Sequence, residues 1–262
     1  MDVAQANFAV NLLRESVKDS KSTVLSPLSI HMALFMFYYG SLGKTKKEFK
    51  ELLADGVETE SEIVRHMEDL LQDIADSKDK NYTLRLAMRI YVKRRLPVMH
   101  GFINTLKDYY GEEVKPLNPR NPEKLAEEIN SWVSNVTEQK IKDIVSVDDL
   151  RQNLQMLALN ALYFKGTWMN QFSSRDTGKK LFYSSEENSR EVDMMSLSSY
   201  IHHFANNQLR LIKLPYIDGV EMIVILPKKR FNLHSVLQTL SGSDLLRYIQ
   251  ESKPTDVSLN EI

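Results

Sequence analysis

The chain has 262 residues, with 34 lysines and arginines against 35 aspartates and glutamates, so its formal net charge is −1. Hydrophobic residues make up 42% and charged residues 26%, a balance that is typical of a folded globular protein and excludes a disordered chain. The near-neutral charge argues against nucleic acid as a main partner, and the absence of cysteine excludes disulfides, thiolate catalysis and Cys-ligated metal centres.

The sequence carries no segment that predicts export or membrane insertion. Residues 1–7 lack the basic start and the apolar run of a secretory signal. The longest apolar run, 32–39, is less than half the length that a membrane-spanning helix needs. We therefore expect a cytoplasmic protein without membrane contact.

Helical patterns fill the first part of the chain. A helix is predicted over 4–17, and a second begins after Ser26, a candidate N-cap, with Pro27 at its first position. The second helix is apolar on all sides and is therefore predicted to be buried. Gly40 is expected to end it in a left-handed conformation. Ile30, Ala33, Leu34 and Phe37 form a stripe along it, and Met36, Tyr38 and Tyr39 add apolar area on the other sides.

Two more helices are predicted before the first strand. Thr45 and Glu48 fit a capping box, which places a helix start at Thr45, and Gly56 is a candidate end. A phosphate-binding loop at Gly43-Lys44-Thr45 is the weaker alternative, because the glycine it requires is Tyr38 and no strand precedes it. A further helical pattern covers 60–75.

The middle of the chain alternates strands and helices. Residues 84–92 alternate apolar and polar side chains and predict a strand, and 98–110 predict a helix. Asn121 followed by Pro122 begins another helix, which continues to about Val136. The almost wholly apolar run 154–164 predicts a strand that is buried on both faces.

The last part of the chain is richer in strands. Residues 209–215 and 220–226 flank Asp218-Gly219, a strong signal for a hairpin turn. Asn232 is expected to cap a helix that runs to about Gln250 and is interrupted at Ser241-Gly242, and a strand is predicted to begin at Asp256. Because helices come first and strands cluster later, the fold class is α+β.

Candidate chemistry is sparse. The adjacent pair His202-His203 would point to opposite faces of a strand, so polar surface is favoured over a shared metal. The run Lys93-Arg94-Arg95 follows a predicted strand, where a solvated loop is the favoured interpretation and contact with a polyanion is the alternative. Nothing asks for a cofactor, a metal or a catalytic centre, so we predict that the protein is not an enzyme.

One family accounts for the order of these segments. The run 23–34 with the glycines after it resembles the buried helix B of the serpins, and 160–168 resembles their strand 3A and the turn that follows. The segments 214–216 and 224–227 are similar to their sheet B hairpin, and 129–133 to their helix F. Because four matches occur in order, the chain is identified as resembling a serpin from its first residues to about Leu259.

The resemblance implies a serpin fold, with several helices and three β-sheets in a single domain over 1–262. In this family a protease cleaves a reactive loop, and the loop then inserts as a new strand between strands 3A and 5A while the protease stays covalently trapped. The resemblance therefore implies a consumed inhibitor of serine proteases, with cysteine proteases as an alternative target, and not an enzyme.

The resemblance also implies sites. Ser26, Ser29 and Asn160 match the shutter, where sheet A opens, although a plain packing and capping role for Ser26 is an equal alternative. Trp168 matches the breach at the top of sheet A, with an ordinary core indole as the alternative. Glu261 stands where the family has a lysine in the breach, which is a reversal of charge.

After Leu259 the family pattern stops. Strand 5A, the reactive loop and the last strands of sheets B and C have no counterpart, so we expect a truncated serpin fold that does not inhibit by itself. The alternative function is a non-inhibitory serpin-fold fragment that binds a partner, or a second copy of itself, through open sheet edges. For location, the resemblance adds the extracellular space as an alternative to the cytoplasm.

Overall fold

A computed structural model describes residues 1–17, 22–110, 114–118, 120–151 and 154–259. The chain divides into two compact units. The first consists of Met1–Phe8 and Val24–Lys165, and the second of the described residues of Ala9–Thr23 and Gly166–Ile262. The single domain over 1–262 stays a prediction.

The helices of the described residues follow the predicted order, except for the short helix α7, which the sequence did not predict. The bounds are α1 Asp2–Ser16, α2 Pro27–Gly40, α3 Gly43–Leu53, α4 Glu60–Asp76, α5 His100–Tyr110, α6 Pro122–Val136, α7 Val147–Arg151, α8 Leu233–Thr239 and α9 Gly242–Glu251. Among them, none combines the length and the apolar character that crossing a bilayer requires.

Helix α2 begins as the sequence predicts, because the Ser26 side chain accepts a hydrogen bond from the Ser29 backbone N–H. Of the four residues in the predicted stripe, Ala33 alone is fully buried. Ile30, Leu34 and Phe37 are only half-buried. The fully buried side chains are mostly on other faces, because the helix is enclosed by several neighbours: His31, Met32, Ala33, Phe35, Met36 and Tyr38.

Two predictions about helix ends are wrong. Gly40 is the last residue of α2, and positive φ among the described glycines occurs at Gly43, Gly56 and Gly219. Gly40 is instead suited to its place because an added Cβ would lie 2.8 Å from the Phe102 ring. Helix α3 begins at Gly43, so Thr45 lies inside it and cannot cap it.

The capping box is found one helix later. Thr59 precedes α4, its side chain accepts from the Glu62 backbone N–H, and the Glu62 carboxylate accepts from the Thr59 backbone N–H. These two bonds satisfy donors that a helix start otherwise leaves to solvent. Thr59 therefore forms, at the start of α4, the kind of capping box that the sequence predicted for Thr45 at the start of α3.

The first unit contains a three-stranded sheet. Strand β1, Thr83–Lys93, lies in the centre, with the short parallel strand β2, Lys115–Leu117, on one side. On the other side lies the antiparallel strand β3, Met156–Lys165, which pairs with β1 from Val92↔Met156 to Thr83↔Lys165. β3 is thus an edge strand of this sheet.

The two faces of the sheet are covered by different elements. Ala87 and Ala161 are opposite each other in the ladder and pack against Val133 of α6. On the other face, Asn160 lies near Ser29 of α2. Burial on β3 alternates, with Leu159, Ala161 and Tyr163 fully buried and the residues between them half-buried. The prediction of a strand fully buried on both faces is therefore wrong, since only the α6 face of β3 is closed completely.

The second unit contains the remaining strands. A two-stranded ribbon pairs β4 with β5, and a four-stranded sheet has the order β8-β7-β6-β9. Asp218 and Gly219 join β7 to β8 with φ of 70° and 88°, which is the left-handed geometry that the predicted hairpin turn needs. The strand bounds are β4 Gly178–Tyr183, β5 Ser189–Met194, β6 Ser198–Ala205, β7 Leu209–Pro215, β8 Glu221–Pro227 and β9 Lys253–Ser258.

His31 is a fully buried titratable residue on α2. Its ring lies between those of Phe8 and Phe35, at centroid distances of 5.0 and 4.9 Å. Its Nε2 is 2.9 Å from the Leu53 carbonyl oxygen, to which it donates, and its Nδ1 is buried with no hydrogen-bond partner among the described residues. Burial lowers the pKa of His31 from 6.5 to about 4, because the interior solvates the imidazolium poorly.

We expect Thr59→Ala to lower the free energy of unfolding by about 1 kcal/mol, because it removes the oxygen that caps α4. The matched control is Thr45→Ala, which removes the same atoms from an exposed position inside α3 and should change stability by less than about 0.5 kcal/mol. Both values come from urea unfolding. A larger loss for Thr45→Ala than for Thr59→Ala would contradict the observed helix starts.

Acidification should destabilise the fold through His31. Well above pH 6.5 the ring is neutral in both states, and as the pH falls from there towards 4 the unfolded chain binds a proton that the folded chain excludes. The free energy of unfolding should therefore fall by about 3 kcal/mol on going below pH 4. The measurement is urea unfolding from pH 7.5 to 4.

The control for this pH dependence is a pair of glutamine variants. His31→Gln keeps an amide donor for the Leu53 carbonyl but does not titrate, so it should reduce the loss of stability in acid. His100→Gln replaces an exposed histidine and should leave the loss unchanged. An equal acid dependence in both variants would rule out His31 as the source.

Candidate functional site

The first candidate site lies where α2 meets β3. The Ser29 side chain is fully buried, and its Oγ is 3.1 Å from the Ser26 carbonyl oxygen and 3.4 Å from Oδ1 of Asn160. A hydroxyl has one proton to donate. The hydroxyl therefore donates mainly to the nearer Ser26 carbonyl, and its hydrogen bond to Asn160 is the weaker of the two.

The structure thus brings together the three residues that the sequence assigned to one site. Ser26 caps α2, Ser29 is the contact, and Asn160 presents its amide from the face of β3 that looks towards α2. Asn160 pairs with Met88 in the ladder, so a polar side chain is set in an apolar row. One weak hydrogen bond is a small barrier to separating α2 from β3, compared with the apolar contacts around it.

The opposite face of the sheet is covered by α6 and by the segment after it, and the sequence did not predict how Asn130 holds that segment. The Asn130 amide of α6 donates to the Val145 carbonyl at 2.9 Å and accepts from the Ile144 and Val145 backbone N–H groups at 3.0 and 3.1 Å. Three bonds from one side chain fasten the segment after α6 back onto that helix. No signal in the sequence distinguishes Asn130 from Asn135 of the same helix, because the segment that Asn130 binds becomes its neighbour only in the folded chain.

The turn after α6 is also fixed by polar contacts to the sheet. Glu138 lies 3.0 Å from Arg85 of β1 and accepts a hydrogen bond of 3.1 Å from the Tyr163 hydroxyl of β3. Glu138 and Gln139 have φ of 50° and 61°, a left-handed conformation that costs free energy for residues with a side chain. The pKa of Tyr163 is raised, chiefly by desolvation and then by the bond to the Glu138 carboxylate.

The second candidate site is in the second unit, around Trp168. The indole stacks on Tyr216 with a centroid distance of 4.0 Å and an interplanar angle of 15°, and it meets Phe172 edge-on at 6.3 Å. Two backbone bonds clamp the pair, from Met169 N–H to Pro215 O and from Ile217 N–H to Thr167 O, both 2.9 Å. Burial raises the pKa of the Tyr216 hydroxyl.

Trp168 is half-buried and packs against a small apolar cluster of the four-stranded sheet. It is therefore a partly covered core indole, which agrees with the plainer of its two interpretations and leaves the breach role a prediction. Glu261, the other predicted breach residue, lies outside the described residues. Within the described part of the chain, no group of three or more His, Asp or Glu side chains could hold a metal ion.

Comparison with known proteins gives a consistent result. A family model described as Serpin (serine protease inhibitor) matches residues 3–261. An uncharacterized serpin-like protein of Methanosarcina acetivorans is 30% identical over 235 residues, covering 87% of this chain and 55% of that protein. Intracellular coagulation inhibitor 2 of Tachypleus tridentatus is 28% identical over 267 residues, covering 98% of this chain and 64% of that protein. The chain spans about half to two thirds of the length of these two relatives.

A similar solved structure is ovalbumin from emu, Dromaius novaehollandiae. It superposes with a TM-score of 0.86 at 24% identity, and the match covers 98% of this chain and 72% of that one. This likeness confirms the predicted fold, with mixed helices and three sheets.

Trp168→Ala should lower the free energy of unfolding by about 3 kcal/mol, because it removes a large side chain from between Tyr216 and the apolar cluster. Trp168→Phe keeps a ring that can stack on Tyr216 and should cost less than half of that. Urea unfolding gives both values.

Fluorescence supplies an independent readout of the same site. The chain has two tryptophans, so a Trp132→Phe background isolates Trp168. Its emission maximum should lie to the blue of free tryptophan and move to the red on unfolding. A native emission maximum equal to that of free tryptophan would contradict the stacked, partly covered indole.

Proposed function

The chain belongs to the serpin family. On that premise we propose that it takes part in the inhibition of a serine protease. In this role its three-stranded sheet would accept an additional strand beside β3. Trapping of the protease is proposed for the whole protein. Accepting the strand is the part proposed for the residues described here.

The observation that carries the proposal is the edge position of β3. All ten residues of β3 pair with β1, and β3 is the last strand in the order β2-β1-β3. The backbone N–H of Lys93 donates to the Gln155 carbonyl at 2.9 Å, which makes the odd-numbered β3 residues the hydrogen-bonded partners of β1. By the same alternation, the N–H groups of Ala158, Asn160 and Leu162 point to the outer edge, where an added strand would pair.

The contacts on the two faces support the same function. On the α2 side, the described bond from Ser29 to Asn160 is 3.4 Å long, so it adds little resistance to a sliding of β3. On the α6 side, Asn130 and Glu138 hold the covering segment more firmly. If the sheet opens beside β3, we expect β3 to separate from α2 before it separates from α6, because the polar contacts to α2 are weaker.

A second candidate function rests on the same edge: a partner, or a second copy of this chain, could supply the strand without any cleavage. An edge strand offers unpaired backbone groups as a template for pairing. The two functions differ in one respect, since only inhibition requires a protease to become covalently bound.

We expect an extended peptide of twelve alternating threonine and valine residues to bind at the β3 edge and to slow hydrogen exchange of the Ala158, Asn160 and Leu162 amides. The odd-numbered amides of β3, already bonded to β1, should be protected with and without the peptide. Exchange is read residue by residue by NMR. The control peptide has the same sequence with N-methyl groups on alternate residues, which removes the donors that would face β3.

A matched pair of variants makes this test sharper. Ala158→Pro removes an outward N–H and should abolish peptide binding, because edge strands tolerate proline where the N–H faces away from the neighbouring strand. Ala158→Val keeps the N–H and should bind as the parent does. Equal binding by both variants would show that the peptide uses another surface, and sedimentation of the free chain would detect self-association at this edge.

The inhibitory proposal is tested with the whole protein and with trypsin-, chymotrypsin- and elastase-like enzymes. The expected product is a protease–inhibitor band that survives boiling in SDS and does not form when the catalytic serine is blocked. Papain is the arm for cysteine proteases. Peptide binding at β3 without any such band would favour the non-inhibitory partner-binding function.

A further inference from the structure

A basic cavity lies at one end of the three-stranded sheet. Its volume is about 710 Å³, and it is lined by Lys93, Arg94, Arg95, Pro116, Leu117, Asn118 and Arg120. Four of these seven residues are cationic and none is acidic. In a chain whose formal net charge is −1, this is a strong local concentration of positive charge.

The parallel pairing of β1 with β2 creates this cavity. The register ends with Lys93 opposite Leu117, so both strands finish at the same edge of the sheet. The chain then continues as Arg94-Arg95 on one side and as Asn118 and Arg120 on the other. Two segments that are more than twenty residues apart in sequence therefore place their cationic side chains around the same cavity.

Two local turns fix the direction of these side chains. The Leu96 backbone N–H donates to the Lys93 carbonyl at 2.8 Å, which puts Arg94 and Arg95 at the two central positions of a tight turn. The Arg120 backbone N–H donates to the Asn118 side-chain oxygen at 3.3 Å. Central turn residues point away from the sheet, so both arginines are exposed at the rim.

Three other arginines of the first unit have a described partner, in contrast to Arg94, Arg95 and Arg120. Arg85 is paired with Glu138, Arg89 stacks on the Trp132 ring at 3.9 Å, and Arg151 is paired with Glu123. Among the residues that the structure describes, Arg94, Arg95 and Arg120 have no carboxylate within ion-pair distance. Three guanidinium groups close together without counter-charge repel one another, and a bound anion would relieve that repulsion.

We propose that this cavity binds a compact, multiply charged oxyanion that carries several phosphate or sulfate esters. Guanidinium groups match the geometry of such groups with paired N–H donors. The volume is in the range of small-ligand sites. The lining has no aromatic side chain on which a base could stack, so a single-stranded nucleic acid is disfavoured.

The experiment is titration calorimetry of the 262-residue chain with inositol hexakisphosphate and, separately, with a fully sulfated hexasaccharide, at 150 mM NaCl. Binding of either with a dissociation constant in the micromolar range supports the site, and the tighter of the two identifies the ester. Affinity should fall when NaCl is raised to 500 mM, because the contacts are ionic. The absence of binding of both at 150 mM would overturn the proposal.

A charge-matched control separates the cavity from general attraction to positive charge. The triple variant Arg94→Gln, Arg95→Gln, Arg120→Gln should weaken binding at least about tenfold. The control replaces Lys228, Lys229 and Arg230, another exposed basic run, with glutamine and should leave binding within about twofold. An equal loss in both triple variants would overturn the proposal.

Two further measurements test whether the variants are folded and whether the ligand is an oxyanion. A thermal melt of each variant without ligand shows whether it is folded, and the parent with ligand should melt at a higher temperature than the parent alone. Single-stranded DNA is a third titrant, and tighter binding of DNA than of both oxyanions would overturn the proposed ligand class. None of these measurements involves a protease, so their outcome is independent of the inhibitory function.

Discussion

The antiparallel pairing of β1 with β3 is the constraint on which the first unit depends. Ten register pairs fix which side chains of each strand share a face. One face then receives α6 on the small residues Ala87 and Ala161, and the other brings Asn160 to Ser29. Because side chains alternate along a strand, a shift of one residue would turn Asn160 towards α6 and remove both arrangements.

The two faces of this ladder are closed by different physical means. On the α6 side, small apolar residues allow close packing, and Asn130 and Glu138 add polar bonds that hold the following segment in place. On the α2 side, closure depends on apolar burial and on a long hydrogen bond from the Ser29 hydroxyl to Asn160, whose proton is also donated to the Ser26 carbonyl. Apolar contacts are not directional, so α2 can shift against β3 with less loss than α6 can.

Much of the architecture was predictable because its signals are local. The cap at Ser26, the Asn121-Pro122 helix start and the Asp218-Gly219 turn each depend on residues next to one another, and each is present. Thr45 shows the limit of such signals, since the same four-residue pattern caps a helix only if the helix begins there. α3 begins at Gly43, two residues earlier, and the capping box falls to Thr59.

The candidate sites differ in the same way, between features with a local sequence signal and features that depend on the folded chain. The resemblance located Ser29 and Asn160, which are 131 positions apart and could not have been paired from spacing alone. Strands β4 and β5 were missed because their residues are mostly exposed and five of the twelve are charged, which gives no apolar alternation. The bonds made by Asn130 and the cavity that Arg94 and Arg120 both line depend on which segments become neighbours in the folded chain.

The long reach of the β1–β3 ladder has a consequence for synthesis of the protein. Met88 and Asn160, which pair, are separated by 72 positions. At about 5–20 residues per second, a ribosome needs about 4–14 s to make the intervening chain. During that interval β1 exists without the strand that will cover its longest edge, whereas the β7–β8 hairpin can close as soon as its turn emerges. Assembly of the central ladder is therefore timed by translation, and slow codons between the two strands would lengthen the wait.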